Sequence, residues 1–351
     1  SQWGGEKRIA VTFKFFIYTF LGSLLMLIGI LYIQAHTPGH SFSLDAFINS
    51  RLPAAKQQWI FWLFFVAFAI KMPIFPFHTW QPDTYEQAPT ATTMILSGVM
   101  VKMGLFGLLR WLFMIMPMAA FQWADFITPL SLIGALYAAF IAIRQDDLKR
   151  LVAYSSIAHI GLMCAAAFAQ NETGFQGLMI QMFNHGINII GLWIVVEITE
   201  RQLGTRKISE LGGIAQKAPA LATFLVIIAF ANIALPLTNA FPGEFLMFNG
   251  IFNSVTVYNI WFTVLAGLGI IFGAVYTLNM IRRVFYGEMN AVTATVKDIA
   301  WNERLALALI VILIFVLGVY PHILLQETAP AAGQINEKFD FVRQVLLEQK
   351  K

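Results

Sequence analysis

Apolar residues recur along this chain in nine long stretches, separated by short segments that are richer in polar residues. Each stretch is long enough to cross the hydrocarbon core of a bilayer, which takes about 20 apolar residues per helix. Because lipid cannot hydrogen-bond to backbone N–H and C=O groups, the stretches are predicted to be α-helices. The nine predicted spans are residues 11–33, 59–77, 91–113, 123–143, 149–168, 174–198, 218–250, 257–281 and 304–321.

No Gly/Ser-rich linker or block of charges divides these spans, so the pattern predicts one all-α polytopic membrane domain over residues 1–325. The tail at 326–351 mixes polar and apolar residues, and no chemistry is predicted for it. Apolar residues recur in the tail at helical spacing, which predicts an amphipathic helix outside the membrane. These residues are Ile335, Phe339, Val342 and Leu346.

Two of the predicted spans contain prolines well inside them. Pro73 and Pro76 lie in the second span, and Pro236 and Pro242 lie in the seventh. Proline removes a backbone donor and clashes with the preceding turn, so both helices are predicted to break. Paired broken helices are typical of ion paths in transporters, although an ordinary proline kink would give the same pattern.

The composition agrees with a membrane protein and excludes several other classes. Hydrophobic residues make up 58% of the chain and charged residues 12%, whereas soluble domains carry about 25% charged residues. The net charge of +4 is not gathered into a nucleic-acid patch, and the single cysteine, Cys164, cannot form an internal disulfide. The sequence has no CxxC, HExxH or glycine-rich phosphate motif, so no redox cofactor, metal or nucleotide site is predicted in it.

Lysine and arginine are unevenly distributed between the two predicted sides of the membrane. With a cytoplasmic N-terminus, the inside segments hold most of the basic residues: Lys7, Arg8, Arg144, Lys149, Arg150, Arg201, Arg206, Lys207, Lys217, Arg282 and Arg283. Three outside loops hold none: 114–122, 169–173 and 251–256. Only loop 34–57, with Arg51 and Lys56, and the tail depart from this pattern. The positive-inside rule therefore predicts a cytoplasmic N-terminus and an outside C-terminus.

Five ionisable residues lie inside predicted spans: Lys71, Lys102, His159, His185 and Glu244. A lysine or carboxylate at mid-membrane costs about 2.5–3.5 kcal/mol, so such residues are usually functional. A buried lysine gains or loses its proton when a partner charge moves, and histidine titrates near neutrality. The set therefore predicts a proton relay. Static ion pairs, snorkelling lysines and histidines satisfied within the core are the alternatives, and together they would make the chain a membrane scaffold.

Polar and small residues accompany these groups. Ser155 lies four residues before His159, and Gln181 lies four residues before His185, so each pair shares a helix face. Lys149 is a further predicted support for the relay. Small residues around the second buried lysine predict close approach of a neighbouring helix; these are Gly98, Gly104 and Gly107.

Four segments resemble the antiporter-like subunits of respiratory complex I and their cation/proton antiporter relatives. They are KMPIFPFHTWQPDTYEQAPTATTMILSGVMVKMGLFGLLR (71–110), DDLKRLVAYSSIAHIG (146–161), QMFNHG (181–186) and FPGEF (241–245). The motifs are long and in the same order as in that family. The EQAPTAT stretch, Lys102 and the acidic Glu244 are most similar to its subunit M branch, since sibling subunits and antiporters usually carry lysine where Glu244 stands.

The resemblance implies a fold, a function and partners. The fold is an inverted-repeat bundle, and the function is proton translocation within an NADH–quinone oxidoreductase of a bacterial inner membrane. Lys71 accepts and passes the proton, Lys102 with the two histidines forms the central relay, and Glu244 is the group on the exit side. NADH, FMN, iron–sulfur clusters and quinone are expected in partner subunits. The implied partners are other membrane subunits of the complex, including sibling antiporter-like subunits.

The resemblance also implies that about five helices of the family architecture precede this sequence. Among them is the helix whose glutamate normally pairs with the lysine at the first break. Neither Glu6, near the cytoplasmic edge, nor Asp45, in an outside loop, is placed to replace that glutamate. A subunit of a monovalent cation/proton antiporter or of a membrane-bound hydrogenase is the alternative within transport, and Glu244 argues against the antiporter.

Overall fold

A computed structural model describes residues 2–50 and 52–348, which fold almost entirely into helices. Arg51, one of the basic residues in the predicted outer loop, lies outside the described residues. The helices are α1 (Arg8–Ala35), α2 (Leu44–Ile48), α3 (Ala54–Lys71), α4 (Trp80–Gln87), α5 (Thr90–Ile115), α6 (Pro117–Arg144), α7 (Leu148–Ala167), α8 (Glu172–Leu203), α9 (Pro219–Asn232), α10 (Ala240–Phe252), α11 (Asn259–Phe285), α12 (Trp301–Val319) and α13 (His322–Glu348).

Seven helices in the described part of the chain are long and apolar enough to cross a membrane: α1, α5, α6, α7, α8, α11 and α12. They occupy seven of the nine predicted spans. The other two, 59–77 and 218–250, are occupied by helix pairs, α3 with α4 and α9 with α10. The all-α polytopic membrane fold predicted from the apolar pattern is confirmed.

The first helix pair separates at the proline motif. Helix α3 ends at Lys71, and Pro73 and Pro76 lie in the non-helical segment before α4. The last carbonyls of a helix lack intrahelical partners. Here the buried Trp80 indole N–H donates to the Ile70 carbonyl at 2.9 Å, so the indole caps the end of α3.

The second pair separates at 233–239, a segment that contains Pro236. Pro242 was expected to interrupt the helix as well, but it lies inside α10, in its first turn. Amide groups in the first turn have no intrahelical acceptor, so a proline there removes no hydrogen bond and the helix continues. Pro236 is therefore the one proline of this pair that lies in the break.

The core of the bundle lies around α7 and α8. Helix α7 packs against α6 and α8, and α8 packs against α10. Helices α1 and α12 lie at the periphery and expose apolar side chains such as Phe13 and Leu309. Large apolar residues exposed on whole helix faces fit a lipid environment.

Glycines bring α5 close to its neighbours, as the sequence predicted. A Cβ on Gly104 would lie 2.8 Å from the backbone nitrogen of Met72 and 2.8 Å from the Phe68 carbonyl oxygen. On the other side of α5, a Cβ on Gly186 of α8 would lie 3.2 Å from the Gly98 carbonyl oxygen. Helix α5 is thus held between the first break and α8.

The C-terminal segment forms the long helix α13, which packs on α8 and α6. The predicted apolar stripe is its buried face: Ile335, Phe339 and Val342 are buried. The Phe339 ring lies 5.3 Å from that of Phe113 and 5.8 Å from that of Phe175. The tail therefore joins the ends of α5 and α8. Its placement outside the membrane remains a prediction.

Candidate functional site

The second helix break places backbone and side-chain groups beside α7. Because α9 ends at Asn232, the Asn232 carbonyl has no partner in its own helix and is free to accept from another element. His159 of α7 takes this position: its Nε2 lies 2.9 Å from the Asn232 carbonyl oxygen, and its Nδ1 lies 2.8 Å from the Ser155 carbonyl oxygen. Both ring nitrogens face acceptors, and only a doubly protonated imidazole can donate to both.

Glu244 of α10 lies on the other side of His159. Its Oε1 is 3.7 Å from His159 Nε2, and the Gln181 side-chain amide donates to the same oxygen at 3.4 Å. The Glu244 side chain is 7% exposed, so its carboxyl group has almost no bulk water around it. Three helices, α7, α8 and α10, therefore converge on one carboxyl group.

His185 of α8 continues the line of ionisable groups. Its ring centroid lies 5.3 Å from that of His159, with the ring planes tilted by 51°. Among the described residues neither ring nitrogen of His185 has a hydrogen-bond partner, although the residue is 1% exposed. Buried polar atoms without protein partners are usual sites for ordered water, so His185 is placed to exchange hydrogen bonds with internal water.

Lys102 of α5 lies next to this histidine pair. The Gly98–Gly186 approach sets its helix against α8, and Lys102 and Gly186 line the same groove. The lysine is 8% exposed, and its Nζ donates to the Ser97 carbonyl at 2.5 Å. Two π-helical turns, Leu96–Met100 and Leu108–Leu112, lie on either side of Lys102. Such turns in membrane helices frequently mark functional positions.

We call Lys102, His185, His159 and Glu244 the central line. Amide groups surround it: Asn184 donates to the Asn239 carbonyl at 2.6 Å, and Asn239 donates to the Asn184 carbonyl at 3.3 Å. Several buried side-chain oxygens near the line have no partner among the described residues: Gln181 Oε1, Asn184 Oδ1, Asn188 Oδ1 and Asn239 Oδ1. Oxygens of this kind provide acceptors for a chain of water molecules.

The structure brings together four of the five predicted relay residues, with Ser155 and Gln181 as predicted neighbours. Lys71 lies apart, half-buried at the end of α3, and no hydrogen bond or ion pair joins it to any residue that the structure describes. Lys149 also lies apart, in the first turn of α7, whereas His159 lies near the middle of that helix; the Lys149 Nζ pairs with Glu200 at 2.7 Å. The relay roles of all these residues, those of Lys71 and Lys149 included, stay predictions.

Three polar residues of the site were missed from the sequence. The Tyr276 hydroxyl of α11 hydrogen-bonds to Ser155 Oγ at 2.9 Å, and the Asn232 side-chain amide donates to Ser155 Oγ at 3.2 Å. Asn239 forms the amide pair described above. Asn232 and Asn239 lie on either side of Pro236, and their position beside a predicted helix break could have identified them as site residues. Tyr276 stands in an otherwise apolar stretch of α11, with only Asn279 at helical spacing, and its role was not predicted.

A cluster of ion pairs joins the ends of α4, α7 and α8. Arg150 Nη1 lies 2.7 Å from Glu86 and 3.0 Å from Asp83, and Lys14 pairs with Asp83 at 2.7 Å. Arg206, in the loop after α8, donates to Asp147 at 2.5 Å. Partial burial opposes the charge of Arg206, but its hydrogen bond to Asp147 prevails and raises the pKa of the guanidinium. These charges hold the second half of the first broken helix against α7.

In the described ranges 2–50 and 52–348, no three His, Cys, Asp or Glu side chains are grouped as metal ligands. The central line itself contains one carboxylate, one lysine and two histidines on four helices. This set can take up and release protons in sequence, and it carries no thiolate or hydroxyl nucleophile beside a base.

Comparison with known proteins shows similarity to one family over most of the chain. Residues 2–279 match the family described as NADH:quinone oxidoreductase/Mrp antiporter, transmembrane. The chain is 39% identical over 326 residues to NADH-quinone oxidoreductase subunit M of Rickettsia typhi, an alignment that covers 92% of this chain and 65% of that protein. It is 34% identical over 350 residues to the Escherichia coli subunit M, covering 97% and 68% of the two chains. The chain thus spans about two thirds of the length of these relatives.

Solved structures show the same similarity in three dimensions. A chain of respiratory complex I from Thermus thermophilus with bound NADH superposes with a TM-score of 0.90 at 29% identity, covering 96% of this chain and 70% of that one. A chain of the Mrp complex from a Dietzia species superposes with a TM-score of 0.83 at 16% identity, covering 96% and 70%. The second likeness shows a shared fold only.

Proposed function

We propose that this chain, which belongs to the NADH:quinone oxidoreductase/Mrp antiporter family of transmembrane proteins, moves protons across a bacterial inner membrane as a subunit of an NADH–quinone oxidoreductase. The observation that carries the proposal is the central line of Lys102, His185, His159 and Glu244. Four buried ionisable groups on four helices have no structural need to be in a membrane, where each is costly. In this order, each group can accept a proton from the group before it and give the proton to the group after it.

The proton steps follow from the contacts. Lys102, once charged, gives its proton to His185 through water, because no residue that the structure describes hydrogen-bonds to either ring nitrogen of His185. His185 passes a proton to His159, and the two carbonyls around the His159 ring stabilise the doubly protonated imidazole. His159 then gives the proton from Nε2 to Glu244, 3.7 Å away, and Glu244 releases it on the outer side. Each transfer returns the donor to its starting protonation state.

In this proposal, the energy that drives proton transport comes from partner subunits and not from this chain. No redox cofactor is assigned to it, so NADH, FMN, iron–sulfur clusters and quinone would be held by partner subunits. The partners would be the other membrane subunits of the complex, including sibling antiporter-like subunits, with lipid around the bundle. A charge moving in a neighbouring subunit changes the proton affinity of Lys102, since buried lysines respond strongly to nearby charge. Lys71 would deliver protons to Lys102 across the Gly104 contact.

A second candidate is a subunit of a monovalent cation/proton antiporter or of a membrane-bound hydrogenase. The fold likeness to the Mrp complex favours it, and the carboxylate of Glu244 argues for the oxidoreductase by the family pattern. Ion specificity separates the antiporter from the oxidoreductase. Sodium-dependent proton uptake without NADH oxidation would identify the antiporter.

The test places Lys71→Ala and Lys102→Ala separately in the full-length subunit within its native complex. NADH-driven acidification and NADH oxidation are followed together in membrane vesicles, with Lys56→Ala, an exposed lysine in the first turn of α3, as the matched control. We expect both variants to assemble, to lose proton pumping and to slow coupled turnover, while the control behaves as wild type. Wild-type pumping in both variants would make the lysines structural and the chain a scaffold.

A further inference from the structure

We propose that protons leave Glu244 through two cavities stacked between α6, α7 and α11, closed by an apolar layer of Leu132, Leu162 and Phe262. This inference rests on the proposed function, which it deepens by naming the route and its barrier. The inner cavity, of about 40 Å³, is lined by His159, Glu244 and Tyr276. The outer cavity, of about 230 Å³, has a mostly apolar lining that includes Phe121, Phe168 and Val257, and its polar lining residues come from the loops and helix ends: Asp125, Thr128, Gln170, Ser254 and Thr256.

The inner cavity connects the last two groups of the central line to α11. A water needs at least about 10–15 Å³ of such space and two or more polar partners. The cavity therefore has room for about three or four waters, and His159, Glu244 and the Tyr276 hydroxyl are their polar partners. The rest of its wall is apolar, including Leu132 and Leu162. Water held here would be in contact with the carboxyl group that ends the line.

The outer cavity lies on the side where the proton must be released. It is bounded by the segment after α7 and by the segment between α10 and α11. Those segments are the basic-residue-free loops that the charge distribution places outside. Asp125 is exposed at its rim, while Thr128 lies deeper and is 4% exposed. The polar residues of the lining give entering water hydrogen-bond partners, with the Asp125 carboxylate at the rim.

The two cavities follow each other along the same three helices. From the outer to the inner cavity the lining moves from Thr128 to Leu132 on α6, from Ala165 to Leu162 on α7, and from Phe262 to Ala266 on α11. Each step is three or four residues, so about one helical turn, or roughly 5 Å, separates the two cavities.

Leu132 and Leu162 line the inner cavity, Phe262 lines the outer one, and the three are 1%, 8% and 6% exposed; we place the apolar layer at these residues. An apolar constriction of this thickness excludes water, as hydrophobic gates in channels do. Protons therefore pass only when the layer is transiently wetted. A closed layer also prevents return of protons from outside, which a pump needs in order to hold a gradient.

The first test measures water access and does not depend on pumping. Single cysteines are placed at Thr128 or Leu132 in the full-length subunit within the assembled complex, and a membrane-impermeant maleimide is added from the outside. The parent chain, whose Cys164 is buried, gives the background, and Asn253→Cys in the outer loop gives full labelling. We expect labelling of Thr128→Cys and protection of Leu132→Cys. Protection of Thr128→Cys, or equal labelling of both, would overturn the proposal.

The second test opens the layer. Phe262→Ala should make Leu132→Cys reactive from the outside and should make vesicles lose a preformed pH gradient several-fold faster without NADH. Phe315→Ala on α12, a half-exposed phenylalanine away from the cavities, is the matched control. An assembled Phe262→Ala complex with an unreactive Leu132→Cys and an unchanged leak would contradict the gate. Because neither readout needs Lys102, failure of this route is distinguishable from failure of the proposed function.

Discussion

The His159 imidazole and the Glu244 carboxyl group face each other across the second helix break, with Nε2 and Oε1 3.7 Å apart. This distance is longer than a hydrogen bond, so the two groups are not locked into a static pair. A shift of less than 1 Å, or one bridging water, would join them. The contact is therefore suited to intermittent transfer, because Nε2 already has the Asn232 carbonyl as its resting partner.

Replacing Glu244 with glutamine tests whether the carboxyl group carries the proton. Glutamine keeps the shape and can still bond to Gln181, so we expect normal assembly, but it cannot take a proton at physiological pH. Proton pumping should fall at least several-fold in vesicles that oxidise NADH. Glu172→Gln, on the exposed first turn of α8, is the control and should pump normally. Undiminished pumping by Glu244→Gln would remove Glu244 from the path.

Lys102→Arg separates charge from proton exchange. Arginine keeps the positive charge but does not release its proton in proteins, so the relay should stop even though an ion-pair role would be preserved. We expect assembled complex with little pumping, measured as acidification per NADH oxidised. Near-normal pumping by Lys102→Arg beside a defective Lys102→Ala would show that the charge, rather than the exchange of a proton, is what Lys102 supplies.

Tyr276→Phe removes one hydroxyl from the inner cavity with almost no change in volume. The Tyr276 hydroxyl holds Ser155 Oγ at 2.9 Å and is one of three polar groups in that cavity. We expect assembly to be unchanged and the pumping rate to fall by a smaller factor than in Glu244→Gln, because water and Asn232 partly replace the lost group. Tyr258→Phe, whose side chain is exposed near the outer loop, should have no effect.

Gly104→Ala tests the close contact between α5 and the first break. The new Cβ would lie 2.8 Å from two backbone atoms, which cannot move aside as a side-chain tip can. Overpacking of this kind costs about 1–3 kcal/mol, so the complex should melt at a lower temperature or assemble in lower yield. Gly269→Ala, with nothing within 4 Å of its Cβ, is the matched control and should be neutral. Equal stability of the two variants would contradict the packing described.

Arg150→Ala tests the ion cluster between α4 and α7. The change leaves Asp83 without one of its two cationic partners and Glu86 with the longer Arg206 contact alone, so we expect a lower melting temperature of the assembled complex. Lys207→Ala breaks an exposed pair with Glu210, and exposed pairs contribute little. A melting temperature that falls no further in Arg150→Ala than in Lys207→Ala would show that the cluster is only a surface feature.

The sequence predicted the fold well because the bilayer allows few solutions. All nine spans correspond to one long helix or a helix pair, since an apolar run of that length in lipid has no alternative to helix. Pro242 illustrates the limit of the argument: whether a proline breaks a helix depends on where the helix begins, and that was set by the residues around Asn239. Helix ends are therefore the least predictable feature.

Site residues whose placement in a membrane helix costs much free energy could be predicted from the sequence. Site residues whose placement there costs little could not. Lys102 and Glu244 stand out in apolar surroundings, and the structure places both beside the histidine pair. Tyr276 does not stand out, because a tyrosine in a membrane helix carries little penalty. The partnership of Asn184 with Asn239 depends on two helices meeting across a break, which spacing along one helix cannot reveal.

The π-helical turn before Lys102 constrains how α5 can change during evolution. Straightening Leu96–Met100 into regular α-helix without removing a residue would rotate Lys102 by about 100° relative to the preceding turns, because the π-helical turn takes up about one extra residue. The amine would then point away from α8. Homologous chains should therefore either keep this turn or lose it together with one residue, since both leave Lys102 facing α8. A one-residue difference in length that coincides with the presence or absence of the turn is what a fixed lysine direction predicts for the family.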